Sequence, residues 1–461
     1  MLQSFLPKST INTIRSLQKS FSFSTQVASQ ISDVRVVALT GGPCGGKTSA
    51  LAALASRIPQ ISHYKVVHVP ELSTLFHTAG SHYPATGTSD DQLNWDYEKL
   101  KSQLALEDAF IHIAEKSSQD TIVLCDRGAL DTKLFVSEDD WVNLTSALGH
   151  TESELLQRYD AVVHLVTTAI GAETHYSDVN NAARRETLEE AAEQDYNTRK
   201  AWMKHSNFIL ISNKPIGSTF QQKLRRTVDA VCSLVGIRTT SDIKRQWIVK
   251  LNHFHPPPDA ICFQIETDFV SFSDTDDVCV QRTSLIDTDF IEHQEETDWD
   301  TQFNKGTINY SLHDRSVEFG GAVKRSDRRL NKREWLAYRA AAETLNMTSS
   351  SGEEDTIRMK RTCFVHDENF WKLDEIVNDD PDKKAGVCLL TLDETDIDNP
   401  TDIVPPYCAT HREVSLMSLR DLLEYNFNKI YFFSRYPCIP TRVCKITLQT
   451  WSLVYHAFSC D

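Results

Sequence analysis

The sequence predicts two domains of different class: an α/β domain on a five-stranded parallel sheet, then a mostly antiparallel β domain. Three observations carry this. From Val34, short apolar runs alternate with long amphipathic stretches, the pattern of a parallel sheet flanked by helices. After about Ile243, Trp, Phe, Tyr, Val and Thr recur in alternating runs between polar turns, as in antiparallel strands with one polar face. The 461 residues, 40% hydrophobic and 24% charged, supply enough apolar material for two or three packed cores.

The elements follow in order. Residues 1–32 contain Lys8, Arg15 and Lys19 but no acidic residue, and are rich in Ser, Leu and Phe. Such a stretch is expected to be a mitochondrial transit peptide, with a disordered cytosolic tail as the alternative, and in either case stands outside the fold. The first domain is expected over 33–240. Its strands are read at Val34–Thr40, Tyr64–Glu71, Thr121–Gly128, Asp160–Thr168 and Asn207–Asn213. Helices over Asp91–Ser117, Thr187–His205 and Thr219–Val235 have apolar residues every three or four positions. The second domain is expected over 243–435. Strands are read within Ala260–Phe272, Asp277–Leu285, Ile308–Val323, Asp355–His366, Phe370–Val377 and Gly386–Glu394, with helices at Asn331–Leu345 and Leu416–Tyr425. Residues 436–461 fit neither period and remain unassigned.

Between the first strand and the helix after it lies Gly41-Gly42-Pro43-Cys44-Gly45-Gly46-Lys47-Thr48-Ser49, which satisfies G-x-x-x-x-G-K-[ST]. Glycines let successive main-chain N–H groups turn inward on a phosphate, and the helix N-terminus adds its partial positive charge. Lys47 would reach the β and γ phosphates and Thr48 would help hold Mg²⁺. The loop is therefore expected to bind a nucleoside triphosphate. Asp126 ends an apolar strand where a carboxylate meets that metal, with Arg127 and Asp131 just beyond. Glu71 ends another strand at the same sheet edge. It could accept a proton from an attacking hydroxyl, order water around the metal, or cap a helix. Arg184 is a candidate for reaching the γ-phosphate from a lid, and Arg185 for a surface partner of nearby glutamates. Asn213, at the end of the fifth strand, is placed where a purine base would rest.

A formal charge of −16 and a pI near 5.5 disfavour sequence-independent binding of nucleic acid. Eleven cysteines without a C-x-x-C pair match neither a disulfide framework nor a zinc ribbon and suggest a reducing compartment. No apolar run approaches the ~18–20 residues of a membrane span, which leaves peripheral membrane contact open.

The order GGPCGGKT, PELST with Gly80, LCDRGALD, NAARRE-x-x-EEA, then Ser212-Asn213 with Phe220 and Lys223 resembles the NadR-like AAA/P-loop domain. With a β-rich segment following, the chain resembles the TRPL-translocation-defect family, whose P-loop domain is joined to a CYTH-like domain. The resemblance implies binding of GTP or ATP in the first domain. In the second it implies a tunnel recognising a phosphorylated ligand, which in the animal member is the anionic phospholipid phosphatidic acid. CYTH domains usually begin E-x-E-x-K; here the stretch is Gln264-Ile-Glu266-Thr-Asp268, without the lysine, and Thr391 and Asp393 stand where two glutamates are common. These departures disfavour triphosphate hydrolysis. Glu266, Arg282, Lys324, Arg325, Arg358 and Lys360 remain as the expected ligand lining; Arg358 and Lys360, two apart on a strand, share a face.

The function expected is a GTP- or ATP-binding protein, hydrolysing slowly if at all, whose second domain binds a phosphorylated small molecule or an anionic phospholipid. The alternative is a nucleoside-type small-molecule kinase with Glu71 as base, Arg127 holding substrate and Arg184 on the transferred phosphate. Asn213-Lys214 lacks the aspartate two positions on that would complete a guanine-reading N-K-x-D element.

Overall fold

A computed structural model describes residues 32–176, 186–214, 219–237, 243–251, 254–272, 276–286, 299, 303, 308–317, 323–346, 356–377, 388–394 and 408–415. Arg184, the leader through residue 31, the helix expected at Leu416–Tyr425 and the segment 436–461 lie outside the described residues. Of Lys324 and Arg325 only the backbone is described.

The first domain is the expected α/β layer structure. Strands β1 (Val34–Thr40), β2 (Lys65–Val69), β3 (Thr121–Asp126), β4 (Ala161–Leu165) and β5 (Phe208–Ile211) form one parallel sheet in the order β2-β3-β1-β4-β5. Central β1 is apolar on both faces, as a strand covered on both sides must be. Val37 and Leu39 face helices α1 (Lys47–Ile61) and α7 (Phe220–Leu234), packing with Leu54, Ile58 and Val231. Val36 and Ala38 face the other way, towards Leu100 of α3 (Ser89–Glu115), Trp141 of α4 (Glu138–Ala147) and Trp202 of α6 (Leu188–Trp202). Thr88, Thr187 and Thr219 close capping boxes at the starts of α3, α6 and α7. β2 stops at Val69, so Glu71 is not on the strand but at the N-cap of short helix α2 (Leu72–Thr78). A further short helix, α5 (Glu152–Leu156), precedes β4.

Among the described residues the second domain is one antiparallel sheet of nine strands, in the order β10-β9-β8-β7-β11-β12-β13-β6-β14. These are β6 (Ile243–Leu251), β7 (Ile261–Phe272), β8 (Asp276–Ile286), β9 (Ile308–Val317), β10 (Val323–Leu330), β11 (Thr356–His366), β12 (Asn369–Val377), β13 (Cys388–Glu394) and β14 (Cys408–Ser415). Helix α8 (Lys332–Asn346) packs on the sheet through Trp335, against Val270, Val280 and Leu330. The run read as a single strand over Ile308–Val323 divides into the antiparallel pair β9 and β10. β6 and β14, which the alternation did not mark, pair with each other, and β6 also pairs with β13.

The strand period of two divides β7 between two environments. Phe263, Ile265 and Phe269 join the same apolar cluster as Val36, Trp202 and Phe208 of the first domain. Gln264, Glu266 and Asp268 point to the opposite face. The seam is reinforced by Phe208 on Phe370 (ring centroids 5.2 Å apart), Arg329 near Asp160 (3.7 Å), and Arg35 Nη1 donating to the Asp327 carbonyl (2.8 Å).

Candidate functional site

The loop after β1 takes backbone conformations that constrain its sequence. Gly41 has φ +135°, Gly46 +94°, and Cys44 is left-handed at +56°. A Cβ on Gly41 would stand 2.1 Å from the Leu165 carbonyl oxygen, which is main chain and cannot move aside. Gly41→Ala is therefore expected to distort the loop, costing a few kcal/mol (~2–4) in urea unfolding and removing nucleotide binding. Lys47 folds back across the loop, donating to the carbonyls of Gly41 (2.8 Å) and Gly42 (2.9 Å). Thr48 and Ser49 are exposed at the start of α1.

Carboxylates hold the loop from behind. Asp195, buried on α6, accepts from Gly42 N (3.0 Å) and Thr167 N (2.8 Å) through Oδ1 and meets His164 Nε2 through Oδ2 (3.2 Å). Burial opposes its ionisation, but His164 and the two amides outweigh it, and its pKa lies below the usual carboxylate value. Thr167 Oγ1 donates to the Pro43 carbonyl. Asp131 accepts from Thr40 Oγ1 (2.6 Å), Gly128 N (2.9 Å) and Trp202 Nε1 (3.2 Å).

Residues 36–217 match the family model of an AAA domain. No curated protein sequence matches the chain. Among solved structures, an inorganic triphosphatase is similar at 12% identity over 40% of this chain and 99% of its own, with a TM-score of 0.24. A sugar kinase from Janibacter sp. HTCC2649, in an unliganded structure, is similar at 14% identity over 43% of this chain and 94% of its own, with a TM-score of 0.23.

In the AAA domain, the ends of β2 and β3 carry the charged groups beside the loop. Arg127, itself left-handed at φ +65°, donates Nε to Glu71 (2.6 Å) and Nη1 to Asp131 (3.3 Å). Glu71 also accepts from Thr74 Oγ1 (2.7 Å). Burial works against its charge, yet Arg127 and Thr74 hold its pKa below the ordinary value. Glu71 thus stands at the N-cap position of α2 without bonding the helix amides through its side chain, and is an ion-paired carboxylate and a weak base in this form. Asp126 differs: burial and then the Glu71 charge push its carboxyl up to about 6, with His68 Nε2 4.0 Å away. An acid whose charge is undercompensated suits a cation that arrives with the ligand. Among the described residues no group of three or more His, Cys, Asp or Glu forms a metal cage. Thr48 and Asp126 fit Mg²⁺, which takes few protein ligands and completes its shell with phosphate oxygens and water.

On the β4–β5 side, Asn213 does not stand free for a base. Its Nδ2 donates to the carbonyls of Thr167 (2.7 Å) and Ile170 (2.6 Å), and its Oδ1 accepts from Lys223 Nζ (2.8 Å). It braces the loop after β4. Buried Lys223, whose pKa burial and then Arg226 lower to about 7, also donates to the Val166 carbonyl (2.5 Å).

The pKa values set a pH window. Burial and then Arg127 draw the Lys47 ammonium down to about 8, although Asp131, Glu71 and Asp126 oppose them. Above pH 8 the free protein must regain that proton to hold a polyphosphate; below about 6, Asp126 is protonated and poorer for metal. Mg·nucleotide affinity is expected to peak between these values, losing up to about tenfold per pH unit above 8. Asp126→Asn should flatten the acid limb in a fluorescent-nucleotide titration; an unchanged acid limb would reject the assignment.

In the second domain Glu266 gathers two of the expected basic residues. Arg282 Nε donates to Oε2, Arg358 Nε lies 3.3 Å from Oε1, and Trp299 Nε1 donates to Oε1 at 2.8 Å. Burial opposes the Glu266 charge, but Arg282 outweighs it and lowers the pKa. The Arg282 guanidinium lies 4.4 Å from the Phe303 ring centre and 5.8 Å from that of Trp335. Lys360 follows Arg358 on the same face of β11, opposite Gln264. Buried Ser284 Oγ has no hydrogen-bond partner among the described residues.

Asp195 is the functional-site residue that motif reading missed. Its signal was present: Ala191, Asp195, Thr198 and Trp202 form the buried stripe of α6, so a carboxylate occupies a core position.

Proposed function

We propose that the chain is a nucleotide-dependent binding protein. Its AAA domain holds GTP or ATP with Mg²⁺, and its β domain binds a phosphorylated small molecule or the head group of an anionic phospholipid. The observation that supports the first half is the cradle from Gly41 to Ser49 with Lys47 clasped across it, beside an undercompensated Asp126. The Glu266 cluster supports the second half: it brings two guanidinium groups, of Arg282 and Arg358, together at one carboxylate, and guanidinium groups are the donors best suited to phosphate oxygens. No helix among the described residues is long and apolar enough to cross a membrane, and contact with lipid would be peripheral. A mitochondrial site of action, suggested by the leader composition, belongs to this proposal, with the cytoplasm as alternative.

Mg·GTP and Mg·ATP titrations of the full chain test the first half. For the second, the double variant Arg282→Ala/Arg358→Ala is expected to lose at least about tenfold in affinity for pyrophosphate and for phosphatidic acid vesicles over phosphatidylcholine ones. Wild-type affinity in that variant would reject the cluster as the ligand site.

One observation favours a kinase as second reading. Asp96 on α3 is 1% exposed, neither carboxylate oxygen has a hydrogen-bond partner, and burial raises its pKa to about 6. Around it the Trp95 ring meets Phe76 (6.0 Å) and Tyr83 (5.3 Å) edge to face, with Lys99 over Trp95 at 5.4 Å. A buried carboxylate beside an aromatic cluster, ion-paired with Lys99 at 3.8 Å but accepting no hydrogen bond among the described residues, suits a hydroxylated ring compound. Transfer of labelled γ-phosphate to a nucleoside panel at enzyme-like rates would establish this reading over the first.

A further inference from the structure

The phosphate end of the nucleotide site fixes where its base must lie. Lys47, Asp126, Arg127 and Glu71 gather at the β3 and β2 side of the loop, so the terminal phosphate points there. The nucleoside then extends the other way, over β4 and β5, where the loops at Ile170–Gly171 and Asn213–Lys214 are tied together by Asn213. A segment of the other domain occupies that edge. The β11–β12 hairpin turns through Asp367 and Glu368, between paired His366 and Asn369. Lys214 Nζ donates to the Asp367 carbonyl (2.8 Å) and Oδ1 (2.6 Å). Glu368 lies against Gly171, where a Cβ would stand 3.0 Å from its Oε2.

Two features set Glu368 apart from an ordinary turn residue. Both turn residues are left-handed, at φ +51° and +58°, a conformation that hairpins usually assign to Asn-Gly. A glutamate kept there is strained, and strain retained at a candidate ligand edge points to use of the side chain. Its Oε2 is also shielded from solvent without a hydrogen-bond partner among the described residues, and burial holds the carboxyl above its usual pKa.

We propose that Glu368, carried by the second domain, reads the base of the nucleotide and selects guanine. A carboxylate accepts from the N1–H and the exocyclic N2–H of guanine. Adenine presents a lone pair at N1, which the same carboxylate repels. The acid missing from Asn213-Lys214 as an N-K-x-D element is thus supplied from about 150 residues away by the hairpin that pairs with Lys214. The proposal rests on nucleotide binding by the AAA domain.

The test is calorimetric titration of the full-length protein with Mg·GTP, Mg·ITP, Mg·ATP and Mg·XTP. Wild type is expected to bind GTP at least about tenfold more tightly than ATP, with ITP between them. Glu368→Gln should lose about tenfold for GTP, leave ATP unchanged and gain towards XTP, whose C2 carbonyl accepts from the amide. Glu368→Gly relieves the backbone strain, so its thermal midpoint should rise while the GTP-to-ATP ratio collapses. A GTP-to-ATP ratio within twofold of wild type in both variants, or no preference for GTP in wild type, overturns the assignment while nucleotide binding stands. A wild type that binds none of the four nucleotides overturns the nucleotide reading, and this one with it.

Discussion

Lys47→Ala is expected to lower affinity for Mg·GTP and Mg·ATP at least about 100-fold, ~2.7 kcal/mol, with little change in unfolding free energy. The asymmetry follows from what the ammonium touches. In the free protein it donates to two loop carbonyls, those of Gly41 and Gly42. Burial and then the Arg127 charge draw its pKa down to about 8 against the pull of Asp131, Glu71 and Asp126, so the ammonium is poorly compensated where it rests. On a polyphosphate the same group would make charge-assisted bonds to oxygens carrying several negative charges, far stronger than bonds to carbonyls. Isothermal titration alongside urea unfolding separates the two effects. Near-wild-type affinity in the variant would mean that the loop does not hold phosphate.

The largest effect on stability is expected from Asp195→Ala, about 3–5 kcal/mol. Truncation leaves Gly42 N, Thr167 N and His164 Nε2 facing a dry hole where one carboxylate had satisfied all three. Asp195→Asn keeps an acceptor oxygen for the amides and should lose markedly less. The pH dependence carries a sign. Because the folded-state pKa is lowered, this contribution is fully present above the ordinary aspartate range. It is lost as pH falls through the depressed folded value, so acid unfolding of the variant should be shallower than that of wild type. A loss below about 1 kcal/mol in urea unfolding of Asp195→Ala would show that the loop supports itself.

Much of the first domain was legible because its signals are local. A buried parallel strand announces itself as an apolar run, and the glycine-lysine-threonine loop needs no partner to be recognised. Longer-range features were not. Asp195 lies in an acid-rich stretch where most neighbours face solvent, and its loop partner Gly42 is 153 residues away. Asn213 lies two residues past the end of β5 rather than on the strand, and the three bonds that commit it to bracing come from residues 10 to 46 positions distant. In the second domain β6, reading IKRQWIVKL, begins with charges that blur its alternation, and pairing with β13 and β14 is what makes it a strand. The β9–β10 pair was run together although Gly320-Gly321 in its sequence is a turn signal. Glu266, Arg282 and Arg358 all belong to the lining expected from the sequence; that the carboxylate pairs with both arginines follows only from strand register.

Phe263, Ile265 and Phe269, which share one apolar cluster with first-domain side chains, bear on how the molecule comes apart. Cutting the chain near residue 240 would bare this greasy strip on one fragment and the surroundings of Trp202 and Phe208 on the other. Each fragment would then tend to aggregate, and calorimetric heating of the intact polypeptide should give a single endotherm. Evolutionary shuffling of either half onto another partner would have to repaint that shared wall first.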